Sequence, residues 1–320
     1  MKSYFQKAAV AMALFLAVAP MQALRLEKIN FGDFSNWVTR DIKESAVLGG
    51  KVKTVYAIGP AKHIRGNVPY TNQGGSPWAT SNVYAKVSGV VKASNTVSPA
   101  MVGGNRMAKL STKMEEVKVL GIINLDVMVP GTIFLGTVRE PISSTSDPFR
   151  KLSMGIPYTK RPKALVYDIR VDMPNVNTRI KSTGFGPKKT LKGRDKAEVY
   201  VMLQKRWEDA KGNIYAHRVG TGRERYSSSV PLKKGHVLPI HYGDITKTAC
   251  YKPYMRLLDG ENAYYAYNSK GKLKPVHEVG WAPEGTVPTH VLVMFSSTCG
   301  EPFVGTEGLD VYVDNVAFGF

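Results

Sequence analysis

Apolar residues recur at every second position in several stretches of this chain, the period of a strand with one face in a core and the other turned away. Ile123, Leu125, Val127 and Val129 form one such set, predicted to face the core, with Asn124, Asp126 and Met128 facing away. Leu165, Tyr167, Ile169 and Val171 form a second, leaving Asp168, Arg170 and Asp172 opposite. Ala197, Val199, Val201 and Leu203 form a third, with Glu198, Tyr200, Met202, Gln204 and Arg206 on the other side. Runs rich in Val and aromatic residues at 291–295 and 311–320 complete the pattern. Helical periodicity is scarce, with one short helix predicted near 112–119. Turn signals at Gly103-Gly104-Asn105, 209–213 and 305–308 separate the strands, and 45–111 reads as irregular loops on the same scaffold. No linker or repeat divides the chain. The pattern predicts an all-β protein, an antiparallel β-sandwich of jelly-roll type with long loops, with 24–320 as a single domain.

The first 23 residues carry a different signal. Lys2 and Lys7 give a positive start, 8–19 is an apolar stretch, and the small residue Ala23 precedes Arg25. That layout predicts a cleavable secretory signal peptide. The stretch is about 12 residues where a bilayer-crossing helix needs roughly 20, and no comparable run follows, so the mature chain is expected to hold no transmembrane segment. The protein is therefore expected to be exported, to periplasm, cell surface or exterior, without a lipid anchor at the cleavage site, where no Cys stands.

Charge narrows the partners. The chain has 44 Lys and Arg against 25 Asp and Glu, a formal net charge of +19, which favours acidic partners. The basic residues are scattered in short clusters such as Lys188-Lys189 and Lys233-Lys234, and no nucleic-acid reading motif is present, so nucleic acid is not the expected ligand. The two cysteines, Cys250 and Cys299, allow one disulfide, which export permits and a core of this size does not require.

Two segments look like the first and last strands of carbohydrate-binding sandwich modules, which usually pair: Phe31-Gly32-Asp33-Phe34-Ser35-Asn36-Trp37 and Val311-Tyr312-Val313-Asp314-Asn315-Val316. Five further motifs resemble the bacterial family called the putative carbohydrate metabolism domain. They are Gly74-Gly75-Ser76-Pro77-Trp78-Ala79-Thr80-Ser81-Asn82, Gly155-Ile156-Pro157-Tyr158-Thr159-Lys160-Arg161-Pro162, Gln204-Lys205-Arg206-Trp207-Glu208-Asp209, Gly220-Thr221-Gly222-Arg223-Glu224-Arg225-Tyr226 and His241-Tyr242-Gly243-Asp244. The resemblance spans nearly all of the mature chain and implies a jelly-roll fold and glycan handling by exported proteins of Gram-negative gut bacteria. It carries over no catalytic pair. A structural calcium at Asp33 or Asp314, near the paired terminal strands, is what related sandwich modules imply; no metal ligand set is assigned and no other cofactor is expected.

Sugar recognition needs aromatic faces for the C–H side of a ring and polar groups for its hydroxyls. Trp78, Trp207 and Trp281 stand in polar, turn-rich settings and are the stacking candidates, whereas Trp37 reads as core. Asn82, Tyr200, Arg206, Asp209, Arg223, Arg225 and His241 are the hydrogen-bonding candidates. The polar strand positions Asp126, Asp168, Arg170, Glu198, Tyr200, Gln204 and Arg206 could line one concave sheet. Hydrolysis would need two carboxyls about 5 Å apart for retention or about 6.5–9.5 Å for inversion, and Glu208, Glu224 and Asp244 are the candidates. The leading reading is an exported protein that binds a glycan, an anionic one given the charge. A glycoside hydrolase on the same sandwich and a structural or adhesive surface protein are the alternatives.

Overall fold

A computed structural model describes residues 24–70, 74–87, 89–119, 123–143, 148–184 and 186–320; the expected signal peptide lies outside them. The described chain is all-β, an antiparallel sandwich as the alternation predicts, and its helical structure is confined to short 3-10 turns such as Ala46–Leu48 and Pro253–Met255.

Two large sheets face each other. The front sheet runs Val230–Pro239, Ala164–Asp172, Asp310–Gly319, Asn105–Ser111, Val97–Val102. The back sheet runs Leu152–Met154, Thr132–Val138, His290–Ser296, Ala197–Glu208, Ile214–Tyr226, Leu273–Trp281, Tyr265–Tyr267. The inward positions of each strand are the ones the period of two selects. Leu165, Tyr167, Ile169 and Val171 of the front sheet are fully enclosed, and meet Val199, Val201, Leu203, Val293 and Phe295 of the back sheet in one core. Tyr167 stands edge-on to Phe295, ring centroids 5.0 Å apart. Each such side chain contributes about 1.5–3 kcal/mol by leaving water. Parallel pairing intrudes in the back sheet, where Ile214–Tyr226 runs alongside Leu273–Trp281.

The strand paired with the C-terminal strand is Leu26–Lys28, not 31–37. Arg25 and Phe320 exchange backbone hydrogen bonds of 3.2 and 3.0 Å, which closes one seam between Leu26–Lys28 and the C-terminal strand. Residues 31–36 form a turn, because Gly32 passes so close to Val316 that a Cβ would sit 2.8 Å from its carbonyl oxygen. Phe31 and Phe34 hold positive φ there, and the fully buried Phe34 packs edge-on against Trp78 at 5.4 Å.

Two other expectations are corrected. The helix expected at 112–119 is the strand Lys113–Val119, paired along its length with Ile123–Val129; long-range pairing overrides the helical preference of Lys113, Met114, Glu115 and Glu116. Met128, expected to face away from the core, is fully buried, because a second layer containing the strands Thr178–Lys181 and Val304–Gly305 covers that side of the hairpin. The stretch 45–111 is strand-rich rather than loops: Trp78–Thr80, Val97–Val102 and Asn105–Ser111 join the sandwich, while Val52–Ile58 and Lys62–Arg65 flank Trp37–Lys43, and Val83–Val87 pairs Val90–Ser94. Cys250 and Cys299 are both free thiols.

Candidate functional site

The back sheet overhangs the front one. Ala197–Glu208 and Ile214–Tyr226 are 12 and 13 residues long, against 9 or 10 for the facing strands Ala164–Asp172, Val230–Pro239 and Asp310–Gly319. Leu203 and Val219 are the last inward residues of this pair inside the core. Continuing outward on that face come Lys205 and Trp207 on one strand and His217 and Tyr215 on the other, directly paired as Lys205 with His217 and Trp207 with Tyr215. With no sheet opposite, these side chains meet solvent.

The result is an aromatic ladder across three strands. Trp207 stacks on Tyr215 with centroids 5.9 Å apart and planes 23° apart, and lies 4.8 Å from His217. Tyr215 continues to His277 of Leu273–Trp281 at 5.8 Å. Trp207 is 41 % exposed, and Tyr215, His217 and His277 are half-buried. His277 is fixed through Nδ1 to an Asp259 carboxylate oxygen at 2.6 Å, and that hydrogen bond holds the carboxyl below its ordinary range. Trp207 also borders a cavity of about 310 Å³ whose other lining residues, Arg206, Glu208, Ile214, Tyr267, Ser269 and His290 among them, belong to the opposite side of the sheet from the ladder.

The polar candidates around Trp207 hold the platform in shape. Asp209 accepts hydrogen bonds from the backbone N–H and side-chain amide of Asn213, both 2.9 Å, closing the turn in which Gly212 takes a φ of 79°. Glu208 accepts from the Ser269 backbone N–H and hydroxyl at 2.8 and 2.7 Å. Arg206 donates to Gln204 Oε1 at 2.7 Å and the Met154 carbonyl at 2.9 Å, and burial pushes it down to about 10. Under the ladder, Glu278 accepts from Arg218 Nε at 2.6 Å, Gln204 Nε2 at 2.5 Å and the Leu258 N–H at 2.7 Å. A second Arg218 nitrogen also bonds it, and both side chains of the ion pair are fully enclosed.

Other candidates lie elsewhere. Trp78 is fully buried with Nε1 donating to the Asn30 carbonyl at 3.0 Å, so its ring presents no face to a ligand. Asn82 is buried and brackets Val97, donating to its carbonyl at 2.6 Å and accepting its N–H at 2.8 Å. Trp281 is half-buried beneath the Arg218 guanidinium at 5.6 Å. Tyr200, Arg223 and Arg225 gather at the other end of the long strands, where Arg223 is bidentate to Glu198 at 3.0 and 2.9 Å and Arg225 joins at 2.5 Å. The 3-10 turn Pro253–Met255 covers that cluster through the Tyr254 carbonyl, which accepts from Arg223 at 2.6 Å. The outward face of the back sheet is thus a buried polar layer here. Asp168 and Arg170 belong to the front sheet and Asp126 to the hairpin, so the seven polar strand positions share no single surface. His241 is half-buried on a strand paired with Gly220 and Thr221.

Among the three carboxylates considered for catalysis, Asp244 caps its own loop, accepting the Thr246 N–H and hydroxyl at 2.9 and 2.7 Å. Glu208 binds the neighbouring loop. Glu224 lies near the opposite end, with one oxygen accepting from the Tyr167 and Tyr226 hydroxyls and bonded to His236 Nε2 at 2.7 Å. Asp33 is exposed and Asp314 buried, with Asp314 accepting the Asn315 N–H at 2.9 Å; among the described residues no group of three or more His, Cys, Asp or Glu is placed to hold a metal ion. Residue patterns missed Tyr215, His217 and His277. Pairing across the turn at 209–213 would have found the first two; His277 arrives by parallel pairing from a distant segment and leaves no local signal.

No family model and no curated protein matches the chain. It is similar to a solved structure from Bacteroides thetaiotaomicron described as a putative glycoside hydrolase, with 15% identity and a TM-score of 0.39 over 70% of this chain, and spans 56% of that protein's length. It is also similar to a structure from Bacteroides vulgatus with the same description, with 12% identity and a TM-score of 0.44 over 89% of this chain and 96% of that one.

Proposed function

We propose that the protein binds a glycan at the overhanging end of its back sheet, where Trp207, Tyr215 and His277 form a stacking surface. The observation that carries this reading is the three-ring ladder with exposed Trp207 at its end and half-buried Tyr215 and His277 beside it. Large aromatic rings side by side on a strand face normally lie under an opposing sheet, and these lie beyond its edge. The outer face of Trp207 suits the C–H side of a sugar ring, with the neighbouring ring edges, Lys205 and the Asp259–His277 pair at hand for hydroxyl or acidic substituents.

A glycoside hydrolase remains the alternative activity, but it draws less support from the geometry. Glu208 and Asp244 are engaged in loop turns, and among the described residues no second carboxylate hydrogen-bonds into the Glu224, Tyr167, Tyr226 and His236 group. Export, to periplasm, cell surface or exterior, is part of the proposal and rests on the first 23 residues.

The test is a screen of the protein against neutral, uronic and sulfated polysaccharides, with reducing-sugar release measured on each hit. Binding without release, weakened roughly tenfold or more by Trp207→Ala or Tyr215→Ala, supports the reading, since stacking on one ring contributes about 1.5 kcal/mol. Trp78→Phe leaves affinity unchanged. Sugar release would replace the binder with the hydrolase, and a screen without hits overturns both.

A further inference from the structure

The basic charge is concentrated in one element distant from the aromatic ladder. Residues 178–196 hold seven Lys and Arg against one acid, Asp195, a net +6 out of the chain's +19. Asp195 faces inward: it is 2 % exposed and is bound by the Thr298 hydroxyl at 2.6 Å and the Thr306 N–H at 2.7 Å, so it does not neutralise the surface. The strand Thr178–Lys181 lies between Val304–Gly305 and Lys189–Lys192, leaving Lys189–Lys192 as a free edge.

That edge is arranged against its own stability. Lys181 and Lys189 are directly paired across the strands, a like-charge opposition that costs energy. Glu301 reaches Lys181 at 2.6 Å and Asp126 reaches Lys188 at 2.8 Å, while exposed Lys189, Lys192 and Lys196 form no ion pair among the described residues. Lysines on an edge strand also discourage pairing with other chains. That role does not account for Arg179 and Arg194, which lie off the edge and whose Nε atoms are buried without a hydrogen-bond partner.

We propose that the free edge of Lys189–Lys192, with Lys188, Lys196 and Arg179 around it, docks a polyanionic glycan, an extended chain bearing carboxylates or sulfates along its length. Exposed ammonium groups face its acidic groups, and alternate outward backbone N–H groups of an edge strand supply further donors. The choice of a glycan rests on the carbohydrate reading above; the surface itself does not. Lys196 leads into Ala197–Glu208, and the ten residues from Ala197 to Trp207 place the two sites about 33 Å apart along one strand.

The experiment measures binding of the wild type, Trp207→Ala and Lys189→Glu/Lys192→Glu to dextran sulfate, polygalacturonate, duplex DNA and the neutral polysaccharides that bind in the first screen, across a salt series. The expected result is a roughly tenfold or greater loss of sulfated or uronic glycan by the lysine variant, with retained affinity in Trp207→Ala. The slope of log affinity on log salt should fall by about 1.4–1.8 for the two lost ionic contacts. Lys189→Gln/Lys192→Gln, a milder change at exposed positions, should give an intermediate loss. Unchanged polyanion affinity in both lysine variants overturns the edge, and DNA bound as tightly as the acidic glycans overturns its glycan preference. Loss of neutral binding in Trp207→Ala reports on the ladder alone, so the two proposals fail separately.

Discussion

At the residue scale, the side chains that matter most for stability and for binding are different ones. Glu278 lies under the ladder with every contact internal, and Glu278→Ala would strand the Arg218 guanidinium in the interior; a loss of about 3–5 kcal/mol is expected in denaturant unfolding. Trp207→Ala, on an exposed ring, should cost well under half of that while weakening the proposed glycan binding roughly tenfold. Two titrating groups pull stability in opposite directions. Burial, with the charges of Asp168 and Asp33, holds the Asp314 carboxyl up at about 6, above its ordinary 3.8. Its stabilising contribution is present at low pH and lost as pH rises through that interval. His290 is held down at about 4 from 6.5 by burial and the Arg206 guanidinium, so its contribution is present above 6.5 and lost as pH falls toward 4. Melting temperatures between pH 4 and 7 should show the rise-linked loss vanish in Asp314→Asn and the acid-linked loss vanish in His290→Asn. Variant curves parallel to the wild type would contradict both assignments.

At the element scale, close backbone approaches set what the sandwich tolerates. Gly131 exchanges hydrogen bonds with Ser297, and a Cβ there would sit 2.3 Å from the Ser111 backbone nitrogen, where the two sheets cross. Gly131→Ala is therefore expected to destabilise by more than about 2 kcal/mol in thermal or denaturant melts, because the obstacle is main chain and cannot rotate away. The same scale shows what the amino-acid order discloses. The central strands were legible because Leu165 to Val171 and Ala197 to Leu203 alternate cleanly against a facing sheet. The hairpin beginning at Lys113 was not, because its Glu and Lys residues favour a helix locally and only pairing with Ile123–Val129 decides otherwise. Trp207 was legible as an exposed ring from its polar neighbours. Trp78 has similar neighbours and is core, because Phe34 of the 31–36 turn packs against it and the Asn30 carbonyl takes its N–H; local composition does not distinguish a ring on a platform from a ring under a turn.

At the scale of the whole molecule, the long strands Ala197–Glu208 and Ile214–Tyr226 link the Glu198, Arg223 and Arg225 cluster, the shared core and the ladder along one ribbon. Ligand at the ladder should accordingly slow amide exchange in the turn at 209–213 and leave the turn at 103–104 unaffected, which hydrogen-exchange mass spectrometry would read directly. The seam between Arg25 and Phe320 bears on something else, the order in which the chain is written. Because Arg25 and Phe320 are hydrogen-bonded neighbours, a chain begun at Leu24 could be joined to Phe320 by a short glycine bridge and new ends opened at Gly103-Gly104, an exposed turn between Val97–Val102 and Asn105–Ser111. Such a circular permutant is expected to keep the strand pairings of both sheets, with the order of strands along the chain changed and their order in space retained.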